Sequence, residues 1–232
     1  MTISRRNLLK ATAVIGAGSL EFLSAQSAEA MTADIQHGSR AVKRVALTFH
    51  GAGAPDYADP LLKLFKSTGT KVSVFAVGTW LVNEPSIASR IIDEGHDLGN
   101  HTMTHTQMKT ISAKRVDSEI SECAALLKKL TGNHGAFFRP SGTQYSTPLI
   151  RKTAQKYGYK NCISYDVDSH DYQDPGKAAV ISNINKGIKG GSIISLHFGH
   201  QNTIDALPTV IENIKAKGFE PVTLTELIGN VG

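Results

Sequence analysis

The stretch GHDLGNHTMTH, residues 95–105, places His101 and His105 four positions apart directly after a strand-like run. If the chain enters a helix there, both imidazoles lie on one face and can chelate a single ion, and zinc suits such ligands best. An arbitrary pair at this spacing is more often two surface side chains. Here Thr102 and Thr104 add hydroxyls able to hold the rings in place. A second signal is RVALTFHGAG, residues 44–53, where an apolar run suited to a buried strand ends in His50, Gly51 and Gly53. The glycines allow unusual backbone, and the ring of His50 must point at a partner.

Polar residues recur at the ends of further apolar runs: Asn100 and His101, Arg139, Asp166 and Asp168, then His197. The runs are RVALTF, KVSVFAV, GHDLGN, GAFFRP, KNCISYDV, GSIISLHF and FEPVTL. Between them lie helical patterns: YADPLLKLFKSTG, EPSIASRIIDEG, SAKRVDSEISECAALLKKLTG, STPLIRKTAQKYG, PGKAAVISNINKGIKGG and TIDALPTVIENIKAKG. Several end at a glycine suited to a C-terminal cap, at positions 69, 95, 132, 158 and 218. Strands alternating with helices imply an α/β fold with parallel strands, either a β/α barrel or an open doubly wound sheet. In a barrel the polar strand ends would converge on one face, where such folds hold their active sites.

The 232 residues are 41% hydrophobic and 19% charged, which suits one globular domain. The first thirty read as an export signal: SRRNLLK resembles a twin-arginine signal, an apolar and small-residue stretch runs from Ala11 to Leu20, and Ala28-Glu29-Ala30 offers a cleavage site. That stretch is short for a membrane span, so the mature chain is expected to be exported and not inserted stably in a membrane. Residues 31–41 read as a linker and 42–229 as the domain. Export of an already folded chain makes disulfides unnecessary, and Cys123 and Cys162 read as buried free thiols. Without Arg5, Arg6, Lys10, Glu21 and Glu29 the net charge passes from +5 to +4. That mild basicity suits anionic cell-wall polymers and gives no case for nucleic acid. A monomer is expected.

GHDLGNHTMTH resembles the zinc-binding motif of the polysaccharide deacetylases, the NodB-homology family of carbohydrate esterases. FFRPSG is similar to that family's Arg-x-Pro motif, DSHDY to its Asp-x-x-Asp-Trp motif, and ISLHFGH to its Leu-x-His motif. The resemblance runs from about Val42 to Gly229. It implies a distorted β/α barrel of about seven parallel strands, a divalent metal, and hydrolytic removal of acetyl from N-acetylglucosamine-containing glycans, cell-wall polymer or chitin-like oligosaccharide. On the matching positions, His101 and His105 would be metal ligands and Arg139 would set the charge at the catalytic base. Asp171 would orient His197, the proton donor to the leaving amine. The N–H of Gly142 would meet the oxyanion, and Tyr172 and Leu196 would form the pocket for the acetyl methyl.

The first motif departs from the family's Thr-Phe-Asp-Asp-Gly: this chain reads Thr48-Phe49-His50-Gly51-Ala52. Three readings follow. His50 is a third metal ligand; or His50 is the base while Asp56 or Asp59 completes the metal; or the site has lost hydrolysis and the chain is a carbohydrate-binding remnant. A hydrolase of another acyl group or C–N bond is a further reading. His170 and His200 sit close enough to the motifs for a rim role in sugar binding. Trp80 is better explained by packing than by stacking on a sugar, and His37, His96 and His134 by solvent-facing or cap-like positions.

Overall fold

Strand β1, Arg44–Gly51, shows how the chain builds its layers. Val45, Leu47 and Phe49 join one apolar cluster with helix residues such as Leu61 and Phe65. Ala46 faces the other way, into a second cluster with Phe75, Phe137, Ile163 and Ile193. The period of two thus puts Thr48 and His50 on the inner face. The computed structural model describes residues 34–229; the expected export segment, 1–30, lies outside the described residues.

The elements follow the alternation. Helix α1 is Pro55–Thr68, strand β2 Ser73–Ala76, helix α2 Gly78–Asn83, helix α3 Ser86–Asp93 and strand β3 Asp97–Asn100. Then come helix α4 Ala113–Thr131, helix α5 Pro148–Lys156, strand β4 Val167–Asp168, a 3-10 turn Asp171–Gln173 and helix α6 Lys177–Gly187. Strand β5 Ile193–His197, helix α7 Gln201–Ala216, strand β6 Glu220–Val222 and helix α8 Leu224–Ile228 complete the order. Helix α4 starts where Ser112 Oγ accepts the Arg115 N–H and ends at Gly132, whose φ of 85° needs no Cβ. Its apolar stripe, Val116, Ile120, Cys123 and Leu127, is buried. Each large side chain of that kind contributes about 1.5–3 kcal/mol when withdrawn from water.

All the strands are parallel, in the order β3-β2-β1-β5-β4, with β6 paired to the first half of β1. The fold is therefore the expected parallel α/β class. Among the described residues six strands are present rather than about seven: the runs GAFFRP and the start of KNCISYDV appear as single bridges, Asn100 to Phe138 and Phe138 to Cys162. Pro140 lacks an N–H for a longer ladder, and the Arg139 guanidinium takes the carbonyls of Ile163 and Ser164. The segment from Cys162 to Asp168 meets Phe138 at one end and β5 at the other, so the distorted sheet curls back toward itself.

Two readings change. From Asp34 onward the expected linker is pinned to the domain: Ile35 bridges Ile163, and Asp34 accepts from the Ser146 N–H and Arg151. His96 is buried, with Nδ1 accepting from the Val72 N–H at 3.3 Å. Cys123 and Cys162 are buried free thiols, as expected.

Candidate active site

The strand ends do meet. Parallel pairing sets His50 of β1 beside His197 of β5, and the two rings stack with centroids 4.3 Å apart and 12° between planes. His101 follows the end of β3. The segment bearing His101 and His105 is an irregular loop and not the helix that their spacing suggested, with Thr102 and His105 at positive φ, 70° and 56°. That backbone is held from below. Asn100 Oδ1 accepts the Thr102 N–H at 2.8 Å, and the buried Glu119 of α4 accepts from the N–H and hydroxyl of Thr104. The loop brings the His101 and His105 rings to 5.0 Å.

Three donor nitrogens, one each from His50, His101 and His105, lie within 4.8 Å of one another. His101 Nδ1 faces the Arg139 carbonyl at 2.9 Å, and a carbonyl can only accept, so Nε2 of His101 carries the lone pair. His50 Nδ1 is 2.8 Å from that nitrogen. Burial, followed by the neighbouring imidazoles, holds both His50 and His101 well below the usual histidine range, so both rings are neutral at neutral pH. Neutral imidazoles with a hydrogen-bonded outer nitrogen are what a divalent metal requires, and this donor set fits one. Asp59 is directed to Arg90, which donates at 2.5 Å, and neither it nor Asp56 belongs to the cluster. The reading in which one of them completes the metal is thereby corrected.

Gly51 fills no gap left for a carboxylate. Strand alternation turns it outward, where a Cβ would meet Trp80 Cζ3 at 2.7 Å and Val74 Cγ1 at 2.9 Å. Trp80 itself is buried packing against Phe198. Gly53, at φ 108°, lets the loop after β1 approach Gly199, whose Cα would stand 2.7 Å from any Cβ at position 53.

Arg139 is buried beneath the histidines and stacks over the Phe75 ring at 4.2 Å. Its Nη1 lies 3.4 Å from His50 Nε2, and burial brings its pKa down to about 9. The expected closeness of Arg139 to position 50 is therefore present, with a ring in place of a carboxylate. On the other side, His197 Nδ1 donates to Asp171 Oδ1 at 2.7 Å, while the His197 N–H and the Thr203 hydroxyl donate to Oδ2. Burial alone would raise Asp171, but these hydrogen bonds and the His197 ring outweigh it and hold the carboxyl below its usual range.

A cavity of about 410 Å³ opens over this cluster, with His50, His105, His197, Gly142, Tyr165 and Tyr172 in its wall. Gly142 has φ 64°, and a Cβ there would press on Gln107. Leu196 is not in that wall. It is fully buried on the helix-facing side of β5 with Phe49 and Leu61, because Ser195 and His197 take the inner face. Ser195 was not singled out in the sequence, although its place two residues before His197 puts it on that face. Its Oγ stands 3.1 Å from His50 Nε2. Glu119 was also passed over; an acid four residues before Cys123 on an apolar helical stripe is the signal for it. Asp166 is a structural partner of Arg40, Ser192 and the Ile193 N–H. Asp168 accepts the His170 N–H at the rim.

Residues 37–162 match a family model described as polysaccharide deacetylase. The chain belongs to the polysaccharide deacetylase family. Its relatives include a peptidoglycan-N-acetylglucosamine deacetylase of Bacillus cereus, 28% identical over 190 residues, or 80% of this chain and 88% of that one. A chitin deacetylase of a Pestalotiopsis species is 32% identical over 193 residues, covering 80% of this chain and 63% of that protein. Among solved structures, a CE4 family pseudoenzyme from Bacillus anthracis superposes with a TM-score of 0.78 at 26% identity, over 83% of this chain and 68% of that one. The family thus holds members described as deacetylases and a member described as a pseudoenzyme. The described residues include no helix long and apolar enough to cross a membrane.

Proposed function

We propose that this polysaccharide deacetylase family member is a metal-dependent enzyme that hydrolyses N-acetyl groups from N-acetylglucosamine-containing glycans, in cell-wall polymer or chitin-like oligosaccharide. The observation that carries this reading is the three-histidine cluster lying against the His197–Asp171 pair, with His50 and His197 stacked at 4.3 Å. His101, His105 and His50 would hold the ion, with zinc best suited to three imidazoles. A bound divalent metal supplies a Lewis acid for the acetamide carbonyl and lowers the pKa of water.

The protein's own groups account for the remaining tasks. Asp171 fixes His197 with its hydrogen on Nδ1, leaving Nε2 as the nitrogen that carries a proton to the departing sugar amine. The buried carboxylate also steadies the positive charge that the ring acquires in that transfer. The Gly142 N–H donates to the developing oxyanion, and its left-handed backbone is what a glycine permits. Tyr172, 44% exposed, presents its ring to the sugar at the cavity edge and packs 5.2 Å from His197. Burial, then the neighbouring His101 and His197 rings, and after them Arg139, disfavour a positive charge on His50 and keep that ring neutral.

Export by the twin-arginine route, with the segment 1–30 removed, belongs to the same proposal and would bring the enzyme to its polymer as a monomer. The test measures bound zinc in the mature protein and acetate release from N-acetylglucosamine oligomers and peptidoglycan. About one zinc with acetate release supports the proposal; release by a zinc-free His101→Ala protein overturns the metal. The absence of a carboxylate at positions 50 and 51 and the likeness to a pseudoenzyme favour one second reading, a glycan-binding protein. Glycan binding without zinc or acetate release would establish it.

A further inference from the structure

His50 lies between neighbours that make opposite demands on its hydrogen. His101 presents the lone pair of Nε2, since its Nδ1 donates to the Arg139 carbonyl at 2.9 Å. His50 Nδ1 stands 2.8 Å from that lone pair. Two lone pairs cannot face each other at this distance unless a cation lies between them. In the metal-free protein, therefore, His50 carries its hydrogen on Nδ1 and its lone pair on Nε2. That lone pair has two neighbours, Ser195 Oγ at 3.1 Å and Arg139 Nη1 at 3.4 Å.

A cation bound at Nδ1 requires the reverse arrangement, with the hydrogen on Nε2. The Nδ1 proton goes to solvent and one from solvent is taken up at Nε2, so the ring stays neutral. Arg139 cannot accept that new N–H, because a guanidinium has only donors. The hydroxyl of Ser195 can, by rotating about its Cβ–Oγ bond. Ser195 is buried on the inner face of β5, one strand over from His50.

We propose that Ser195 is the positioning residue that lets His50 change tautomer and thereby serve as a metal ligand: it donates to Nε2 in the metal-free protein and accepts from Nε2 when metal is bound. This rests on the three-histidine metal site proposed above. Arg139 works against the change, so the hydroxyl is the group whose loss should be felt in metal affinity and not in the metal-free structure.

The experiment uses the mature protein with ¹⁵N-labelled histidine. Long-range ¹H–¹⁵N spectra report the His50 tautomer as zinc is added, and competition with a coloured chelator gives the zinc affinity. The wild type should pass from Nδ1–H to Nε2–H on binding. Ser195→Ala should keep Nδ1–H without zinc and lose roughly 10- to 100-fold in affinity, the usual effect of removing a partner behind a ligand histidine. Ser195→Thr, which keeps a hydroxyl, should recover most of it. Zinc held as tightly by Ser195→Ala as by wild type overturns this inference alone, as does a zinc-bound wild type whose His50 stays Nδ1–H. A wild type that takes no zinc, shown by competition indistinguishable from His101→Ala, overturns the metal site itself and this inference with it.

Discussion

On the β5 side of the cavity one buried carboxylate, Asp171, gathers the ring and backbone N–H of His197 and the hydroxyl of Thr203, and so holds a histidine in one orientation and one tautomer. On the β1 side none of the described carboxylates is a hydrogen-bond partner of His50. His50 is placed by a serine, a buried arginine and another histidine; the arginine can only donate to it, His101 presents a lone pair, and the serine hydroxyl alone can do either. The first half carries the residues of the pattern expected from the resemblance and has one electrostatic outcome. The second departs from it, and its behaviour turns on what binds there. On the proposed reading, the half that would serve the leaving group is fixed by a carboxylate, while the half that would hold the metal is not.

The comparison breaks most severely at the shared ligand. His101→Ala should lose bound zinc and at least about 1,000-fold in acetate release, several kcal/mol of transition-state stabilisation, measured as metal content and turnover of one preparation. Asp171→Asn addresses the other half. It should keep zinc but lower turnover by about 100- to 10,000-fold, because an amide no longer selects the His197 tautomer; loss of zinc as well would mean that the halves are not separable.

Gly51→Asp asks whether the rebuilt half can be returned to the family's pattern by one change. It should not, because the new Cβ would run into Trp80 and Val74. Overpacking of this kind costs about 1–3 kcal/mol, visible as a lowered thermal midpoint with no gain in zinc affinity. An unchanged midpoint with tighter zinc would show that Trp80 yields. The smallest effect lies away from the cavity. Burial, helped by the charge of Lys71, holds His96 at about 4 against an ordinary 6.5. Between those values the unfolded chain binds more protons than the folded one, so stability is full above 6.5 and declines as the pH falls toward 4. Thermal midpoints across that range should show the decline, and His96→Gln should flatten it; an equally steep curve in the variant would assign the decline to other groups.

Local pattern carried much of the architecture. The helices around Leu61, Ile120, Ile150 and Val210 stand where the apolar spacing put them; β2, β3 and β5 lie within the expected runs, and β1 starts with its run and continues through His50 and Gly51. GAFFRP misled because its apolar pair reads as a strand, while Arg139 and Pro140 commit the backbone and side chain to other partners. Leu196 was assigned to the pocket from its place in a motif, yet strand alternation gives that face to Ser195 and His197. His96 was read as solvent-facing because a histidine before a strand carries no local mark of burial.

What the sequence made legible by itself is the α/β order, the His101 and His105 pair as candidate metal ligands, and His50 and Gly51 at the end of the first apolar run. Those are properties of residue type and short spacing. Only the tertiary structure decided that His50 turns inward to His101, that Gly51 turns outward to Trp80, that Asp59 belongs to Arg90, and that Ser195 stands behind the ring. His50 meets His101 across 51 positions and Ser195 across 145. A tautomer depends on which donor or acceptor faces each nitrogen, and at such separations that is settled by strand register and not by neighbours in sequence.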